Sequence, residues 1–448
     1  MFAAIGGAMV LTALNFSISF VAFGEIAETF DAAGTTVSWA LTAFSITIGA
    51  LTVPGGWAAD RYGRARVFAT GFAIFVVGSG LVAVAPSVET LIAARVVQAS
   101  GVAIQSPAML ALMLDAFGPT RRATAVGLTG GLGGVAAAAG PAVGGALVES
   151  VGWRWTFAVN VPVGVLVFAV LLRTLRFEAA EDDRAIPDLV GATLMVGAVA
   201  GFILGIVQSD EWGFTDARTV VAVLGSVVLG TLLVRRSATH PSPILDLGLF
   251  SVPSFRAGAV LQLMVAGSFG GVFLTQLQFL TDGWDYTLFQ AGLVIAAIPA
   301  IAGPLTVLSG RLADRHGHRT VIVPGMVCMI AAGLLLATTV SADRALWRVW
   351  IPVNVLYSVG VGLAHAACQA VAVSQVDQAK LGIGAAMSRI SQEVGNAITA
   401  AAAITLIERA GAPVDGLRWT MVLLIGFTAV ALPVAWRLPR RGAVTPVP

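Results

Sequence analysis

The chain has 448 residues; 57% are of the nine apolar types, 51 more are glycine, and only 11% are charged. Soluble domains carry about 25% charged residues, and no soluble interior hides this much apolar surface, so lipid is the solvent for most of the chain. That excludes a soluble enzyme and a disordered scaffold, and a net charge of +2 gives no hold on nucleic acid or any other polyanion.

Cutting the chain at every Asp, Glu, Lys and Arg leaves the charge-free runs 2–24, 32–59, 67–88, 96–114, 123–148, 155–172, 189–209, 219–234, 257–281, 286–310, 320–342, 349–376 and 419–436. One more run, 381–407, is broken only by Arg389 and Glu393. A spanning helix needs about 20 mostly apolar residues, and barrel strands are far shorter. The sequence therefore predicts fourteen membrane helices and an all-α integral membrane protein. The first run has no basic leader and reads as an uncleaved helix, not a signal peptide. Run 219–234 is short, but Arg218 and Arg235 at its ends can snorkel. Cys328 and Cys368 lie in apolar runs and read as small buried hydrophobes.

With both termini in the cytoplasm, the inside segments hold 18 of the 26 basic residues and the outside segments 6. Arg95 and Arg389 fall within helices. This threefold bias is a positive-inside signal and supports an even helix count.

Segment 56–68 reads GWAADRYGRARVF and segment 310–322 reads GRLADRHGHRTVI. Gly56, Asp60, Arg61 and Gly63 recur as Gly310, Asp314, Arg315 and Gly317 at one offset of 254 residues. Such an echo marks a transporter built from repeats. The chain averages 448 residues over fourteen helices, so the offset spans about eight helices, where two plain six-helix bundles would put it at six. The expected organisation is a bundle over 1–173, linkers with two inserted helices over 174–254, and a second bundle with a short tail over 255–448.

In the turn itself, Gly63 allows positive φ, Asp60 can accept hydrogen bonds from a neighbouring helix N-terminus, and Arg61 and Arg64 can pair with carboxylates or lipid phosphates. Ionisable groups inside the membrane are the best pointers to mechanism. Arg389 and Glu393 stand one helical turn apart. A carboxylate in low dielectric is pushed towards its neutral form, so Glu393 is the candidate proton carrier; the other reading of the pair is a self-neutralised structural contact. Arg95 and Gln98 are also one turn apart, and His365 is a secondary proton candidate. Asn15, Ser17, Gln98, Gln262, Asn354 and Tyr357 offer scattered hydrogen-bonding groups for an amphipathic ligand. Glu25, at the outer end of the first helix, is expected to face water. There is no phosphate-binding loop for ATP, no metal cluster and no nucleophile elbow.

Several motifs together resemble the major facilitator superfamily, and within it the fourteen-helix drug/proton antiporters, over essentially the whole chain. Segment 56–68 resembles the superfamily's helix 2–3 loop. Arg95-Val-Val-Gln98-Ala-Ser-Gly101 resembles its helix 4 motif, with Ala99 where Gly is usual. Gly140-Pro141-Ala-Val-Gly144-Gly145 resembles the antiporter motif of helix 5, with Ala136 where its first Gly is usual. Trp153 to Phe157, Asn160-Val-Pro162, Trp39 with its following residues, and Leu245-Asp246-Leu247 resemble features of the fourteen-helix subgroup. The resemblance implies a major facilitator fold of two six-helix bundles plus two central helices. It implies a cytoplasmic latch at Gly56, Asp60, Arg61, Gly63 and Arg64 with its echo at Gly310, Asp314, Arg315 and Gly317. It also implies an ion-tight seam at the helix 5 motif and a coupling role for Arg95. The chain departs from the subgroup in the first helix, where Asn15 stands in place of an aspartate and removes one site for cation recognition.

The expected function is a secondary active transporter, a proton-coupled exporter of drugs or other small amphipathic molecules working by alternating access. The alternative is a uniporter or importer of a metabolite without proton coupling; a non-transporting membrane sensor is more remote. Expected partners are a small-molecule substrate, protons and membrane lipids, with no cofactor beyond the proton gradient, no nucleic acid and a monomeric state. The expected location is a bacterial inner membrane.

Overall fold

A computed structural model describes residues 2–32, 34–175, 188–213, 215–241 and 243–439. Among them the fourteen expected helices all form. They are α1 (Phe2–Val21, prolonged by Phe23–Thr29), α2 (Gly34–Tyr62), α3 (Arg64–Ala83), α4 (Val88–Phe117), α5 (Arg122–Val151), α6 (Trp153–Ala158 and Asn160–Thr174), α7 (Leu189–Val207), α8 (Ala217–Ser237), α9 (Pro253–Leu261 and Gly267–Gln278), α10 (Leu288–His316), α11 (Arg319–Thr339), α12 (Ile351–Val373), α13 (Leu381–Arg409) and α14 (Pro413–Val430, prolonged by Leu432–Trp436). Eleven are long and apolar enough to cross a membrane by length and composition. Of the rest, α1 and α7 contain shorter apolar stretches, and α13 carries Arg389 and Glu393. A single-turn π-segment, Gln262–Ala266, interrupts α9, and a second, Phe279–Gly283, follows its end. Such segments occur often at functional sites. The run 219–234 gains its missing length at both ends, where Asp216 caps α8 through the Arg218 amide and Arg235 and Arg236 close its last turn.

The chain divides into two compact units. Unit 1 comprises residues 1–113, 139–251 and 377–390; unit 2 comprises 114–138, 252–376 and 391–448. The first half of α5 thus belongs to unit 2, and the first third of α13 to unit 1.

In unit 1, glycines set how closely helices pack. A Cβ on Gly101 would lie 2.3 Å from the Phe75 nitrogen, and one on Gly78 2.5 Å from Gln98 Cα. Only hydrogens at both positions let α3 and α4 touch backbone to backbone. Trp153 is buried at the start of α6, where its indole NH donates to Thr29 Oγ1 at 3.0 Å and its ring stacks edge-on with Phe30 and Phe157. The Trp153–Phe157 motif is therefore a packing device. Glu25 is half-buried, not water-facing: its Oε2 is shielded and unpartnered, and its Oε1 lies beside Gly152. The reason is local. The helix runs on to Thr29, and Gly152, at φ 90°, has no side chain to push the carboxylate outward.

The two inserted helices also belong to unit 1. A Cβ on Gly49 of α2 would lie 2.4 Å from Ile203 of α7, so α7 lies flat on α2. On its other side α7 packs against α8 through Gly201 and Gly205, which face Ala222, Val223 and Ser226. Asp188 caps α7 by accepting from the Gly191 amide at 2.7 Å and pairs with Arg236 of α8 at 2.6 Å. Burial alone would raise the Asp188 carboxyl; the Gly191 amide and the Arg236 guanidinium outweigh it and hold it below the ordinary value of 3.8. The far face of α8 presents Val221, Leu224 and Val228, all exposed, as a lipid-facing wall would.

Candidate functional site

The repeated turn builds the same device twice. Gly63 and Gly317 both adopt φ 91°, the conformation that glycine alone takes readily. In unit 1, the Asp60 carboxylate accepts from the backbone amides of Gly382 at 3.1 Å and Ile383 at 2.9 Å, in the first turn of α13. In unit 2, Asp314 accepts from the amides of Ala123 at 3.0 Å and Thr124 at 2.8 Å, in the first turn of α5, and from the Thr124 hydroxyl. Each aspartate satisfies two of the amides that a helix start leaves without partners and sits at the positive end of its dipole. The glycine one turn earlier makes this possible. A Cβ on Gly56 would lie 2.7 Å from the Gly382 carbonyl, and one on Gly310 2.3 Å from that of Ala123.

Other groups grip the same stretch of chain. Arg64 pairs with Asp60 at 3.5 Å and donates to the Gln378 carbonyl. Lys380, the only lysine of the chain, pairs with Asp246 of the Leu-Asp-Leu motif at 2.6 Å. In unit 2, Arg122 donates to the carbonyls of Val373, Ser374 and Val376 at the end of α12. Arg61 lies over the rings of Trp57 and Tyr62, and Arg315 is exposed. Arg122 and Asp246 carry part of this network without having stood out in the sequence as latch residues. A basic residue at the start of a helix and an acid in a loop give no periodic signal.

Inside unit 1, Arg95 is buried, 1% exposed. Its Nη1 donates to Gln98 Oε1 at 2.6 Å and its Nε to the Ala40 carbonyl at 3.4 Å. The guanidinium lies over Phe44, 4.0 Å from the ring centre, with Phe157 at 5.6 Å. Gln98 Nε2 donates to Asn15 Oδ1 at 3.1 Å and Ser79 Oγ at 2.8 Å, and Asn160 Nδ2 also donates to Asn15 Oδ1 at 2.9 Å. Four helices thus join through one neutral network around a single cation. The side chain of Ser17 lies outside the described residues.

Unit 2 arranges the counterpart differently. The position 254 residues after Ser79 is Gly333, and beside it α9, α11, α12 and α14 form a half-open pocket of about 20 Å³, lined by Ser268, Gln276, Tyr357 and Thr428 among others. That is room for about one water. The Gln276 side-chain carbonyl has no partner there. Gln262, Asn354 and Tyr357 are also buried in unit 2, and neither amide end of Gln262 or Asn354 is hydrogen-bonded.

Glu393 is half-buried in the part of α13 that belongs to unit 2, and Arg389, one turn earlier, is exposed. Asn396 Nδ2 lies 3.5 Å from Glu393 Oε2. Gln392 approaches His365 of α12 at 3.4 Å, and Phe269 of α9 meets the His365 ring edge-on. The glycine crossing of α9 with α13 fixes these groups. A Cβ on Gly395 would lie 2.0 Å from the Leu263 carbonyl, one on Gly267 2.6 Å from Gly395 Cα, and one on Gly270 2.8 Å from Asn396 Oδ1. The Thr399 hydroxyl locks the crossing by donating to the Gly267 carbonyl at 2.8 Å.

The small-residue face of α5 is flattest before the antiporter motif. Gly127, Gly131 and Gly134 lie against Thr306, Gly303 and Pro299 of α10 in unit 2; a Cβ on Gly131 would fall 2.7 Å from the Gly303 carbonyl. Of the motif, Gly144 packs on Ile18 of α1 in unit 1. Gly140 is buried and Gly145 half-buried, and the Pro141 side chain lies outside the described residues. The spacing of four between Gly127 and Gly131 was the signal for the earlier contact.

Comparison with known proteins agrees with this architecture. The sequence pattern of the Major Facilitator Superfamily matches residues 5–190 and 257–448. The chain is 28% identical over 455 residues to the methylenomycin A resistance protein of Streptomyces coelicolor, covering 99% of this chain and 93% of that protein. It is 29% identical over 396 residues to the drug efflux pump JefA of Mycobacterium tuberculosis, covering 88% and 77%. In fold it is similar to the crystal structure of the human organic anion transporter MFSD10, with a TM-score of 0.71 at 14% identity over 97% of this chain and 98% of that one. Matched over most of its length, and with the fourteen expected helices formed among its described residues, the chain belongs to the Major Facilitator Superfamily and is a multi-pass membrane transporter.

Proposed function

We propose that this protein exports small amphipathic molecules, antibiotics among them, from a bacterial cytoplasm across the inner membrane in exchange for protons. The observation that carries the coupling is the polar cluster of α12 and α13. Glu393 sits half-buried with Asn396 beside it, one turn from Arg389, and His365 stands against Gln392. Within the membrane, Glu393 is a group whose charge must be neutralised or paired before it crosses a low-dielectric region. Proton and substrate need only favour opposite charge states of it to be exchanged. The two aspartate–amide devices serve as the cytoplasmic latch. They stabilise the state in which that face is shut, and they release when the bundles rock. The similarity to named resistance and efflux proteins supports the outward direction.

The test is expression in a drug-sensitive bacterium stripped of its own exporters, scored against a panel of neutral and acidic antibiotics. Wild type should raise the growth limit for some members, and Glu393→Gln, equally abundant in the membrane, should not. Sensitisation by wild type would instead mark an importer.

A further inference from the structure

The network around Arg95 is short of hydrogen-bond acceptors. Its orphan polar atoms are Arg95 Nη2 and Asn15 Nδ2, both shielded from solvent and without a partner. Both are donors. The Asn15 amide cannot be turned to hide the shortage, because its Oδ1 already takes hydrogens from Gln98 and Asn160. Charge is short as well. No carboxylate among the described residues pairs with Arg95, and Asn15, which reaches it through Gln98, is neutral. A buried guanidinium ordinarily has an anionic partner or a full set of acceptors. A water could occupy the donors, but it would leave the charge uncompensated. The rings of Phe44 and Phe157, both buried, flank the guanidinium.

We propose that Arg95 and Asn15 form an anion subsite in unit 1 that takes the carboxylate of an amphipathic acid, making negatively charged small molecules the preferred substrates. The carboxylate supplies two oxygens for the two orphan donors and the missing negative charge. This inference rests on the transporter reading above and names its substrate class. The neutral Asn15 is then a selectivity residue: an aspartate there would supply the counter-charge internally and repel an acid.

The experiment uses the full chain in lipid nanodiscs and three ligands with one aromatic body: 2-naphthoate, 2-naphthylmethanol and 2-naphthylmethylamine. Binding is read by calorimetry. Wild type should bind the acid at least about tenfold more tightly than the amine. Asn15→Asp, nearly isosteric, should reverse that order, and Arg95→Gln should abolish the preference for the acid over the amine. Equal or tighter binding of the amine by wild type would overturn the proposal. So would an acid preference that survives Asn15→Asp, or no binding of any of the three. Flux separates this inference from the export reading. An amine carried by wild-type liposomes that bind no acid removes the anion subsite and leaves transport standing. An acid that binds yet is never carried keeps the anion subsite but removes the acid as a substrate and, with no other ligand carried, transport as well.

Discussion

Gly63 and Gly317 have the same φ because each must turn the chain at once after a helix whose last turn presents an aspartate. A side chain at such a backbone conformation costs about 1–3 kcal/mol. Gly63→Ala and Gly317→Ala should therefore each lower the melting temperature in detergent, whereas Gly225→Ala, in α8 with open space around it, should leave it unchanged. Asp60→Asn keeps the shape but loses the charge that strengthens two backbone hydrogen bonds; a bond to a charged group is worth about 1.5–3 kcal/mol. Its expected effect is faster maleimide labelling of a cysteine placed at Ile383, which is buried and donates its amide to Asp60, and equal labelling of wild type and variant would contradict the latch. The sequence showed these residues well, because the echo at offset 254 picks out the glycine and the aspartate together. It did not show their partners. Gly382, Ile383, Ala123 and Thr124 take part through backbone amides, and an amide leaves no mark in a sequence.

Helices pack here by omission of side chains. The contact of α5 with α10 depends on Gly131 and Gly303 having only hydrogens, so Gly131→Leu must push the helices apart at an overpacking cost of about 1–3 kcal/mol or more. The expected result is a marked loss of folded protein after gentle heating, measured by fluorescence-detected gel filtration; Gly292→Leu, where a Cβ meets nothing within 4 Å, serves as the control. The pairing of α7 with α8 has a pH signature. Asp188 is held below its ordinary value of 3.8, so its contribution is present in full above that value and is lost as pH falls through the lower folded-state value. Asp188→Asn should melt below wild type at pH 7 and pH 5 by a constant gap that closes only below about pH 4. A gap that narrowed between pH 7 and pH 5 would assign the loss to another group. The existence of the two inserted helices could be counted from apolar runs. Their seat on α2 could not, because it rests on Gly49, one glycine among 51, and on the shapes of Val199 and Ile203.

At the scale of the whole molecule, membrane segments of the required length and one internal echo were enough to predict the architecture, since lipid leaves the backbone few alternatives. The site was less legible. Arg95 and Gln98 were singled out as a pair and Asn15 apart from them, and the fold joins all three with Ser79 and Asn160 into one network whose donors outnumber its acceptors. Gln262 and Asn354 have the polarity of cavity residues, yet the structure buries them in unit 2, while Tyr357, also buried, lines the small pocket there; polarity alone does not say which way a helix is rotated. In the proposed mechanism, proton coupling turns on Glu393. The measurement that bears on it most directly is proton movement in liposomes containing only this protein and an internal pH dye, driven by a gradient of a transported acid or antibiotic. Wild type should move protons in response to the substrate gradient. Glu393→Gln should move none while still exchanging labelled for unlabelled substrate, since exchange needs no net proton transfer. Substrate flux through wild type without proton movement, unaltered by Glu393→Gln, would contradict coupling at this residue and leave a uniporter in its place.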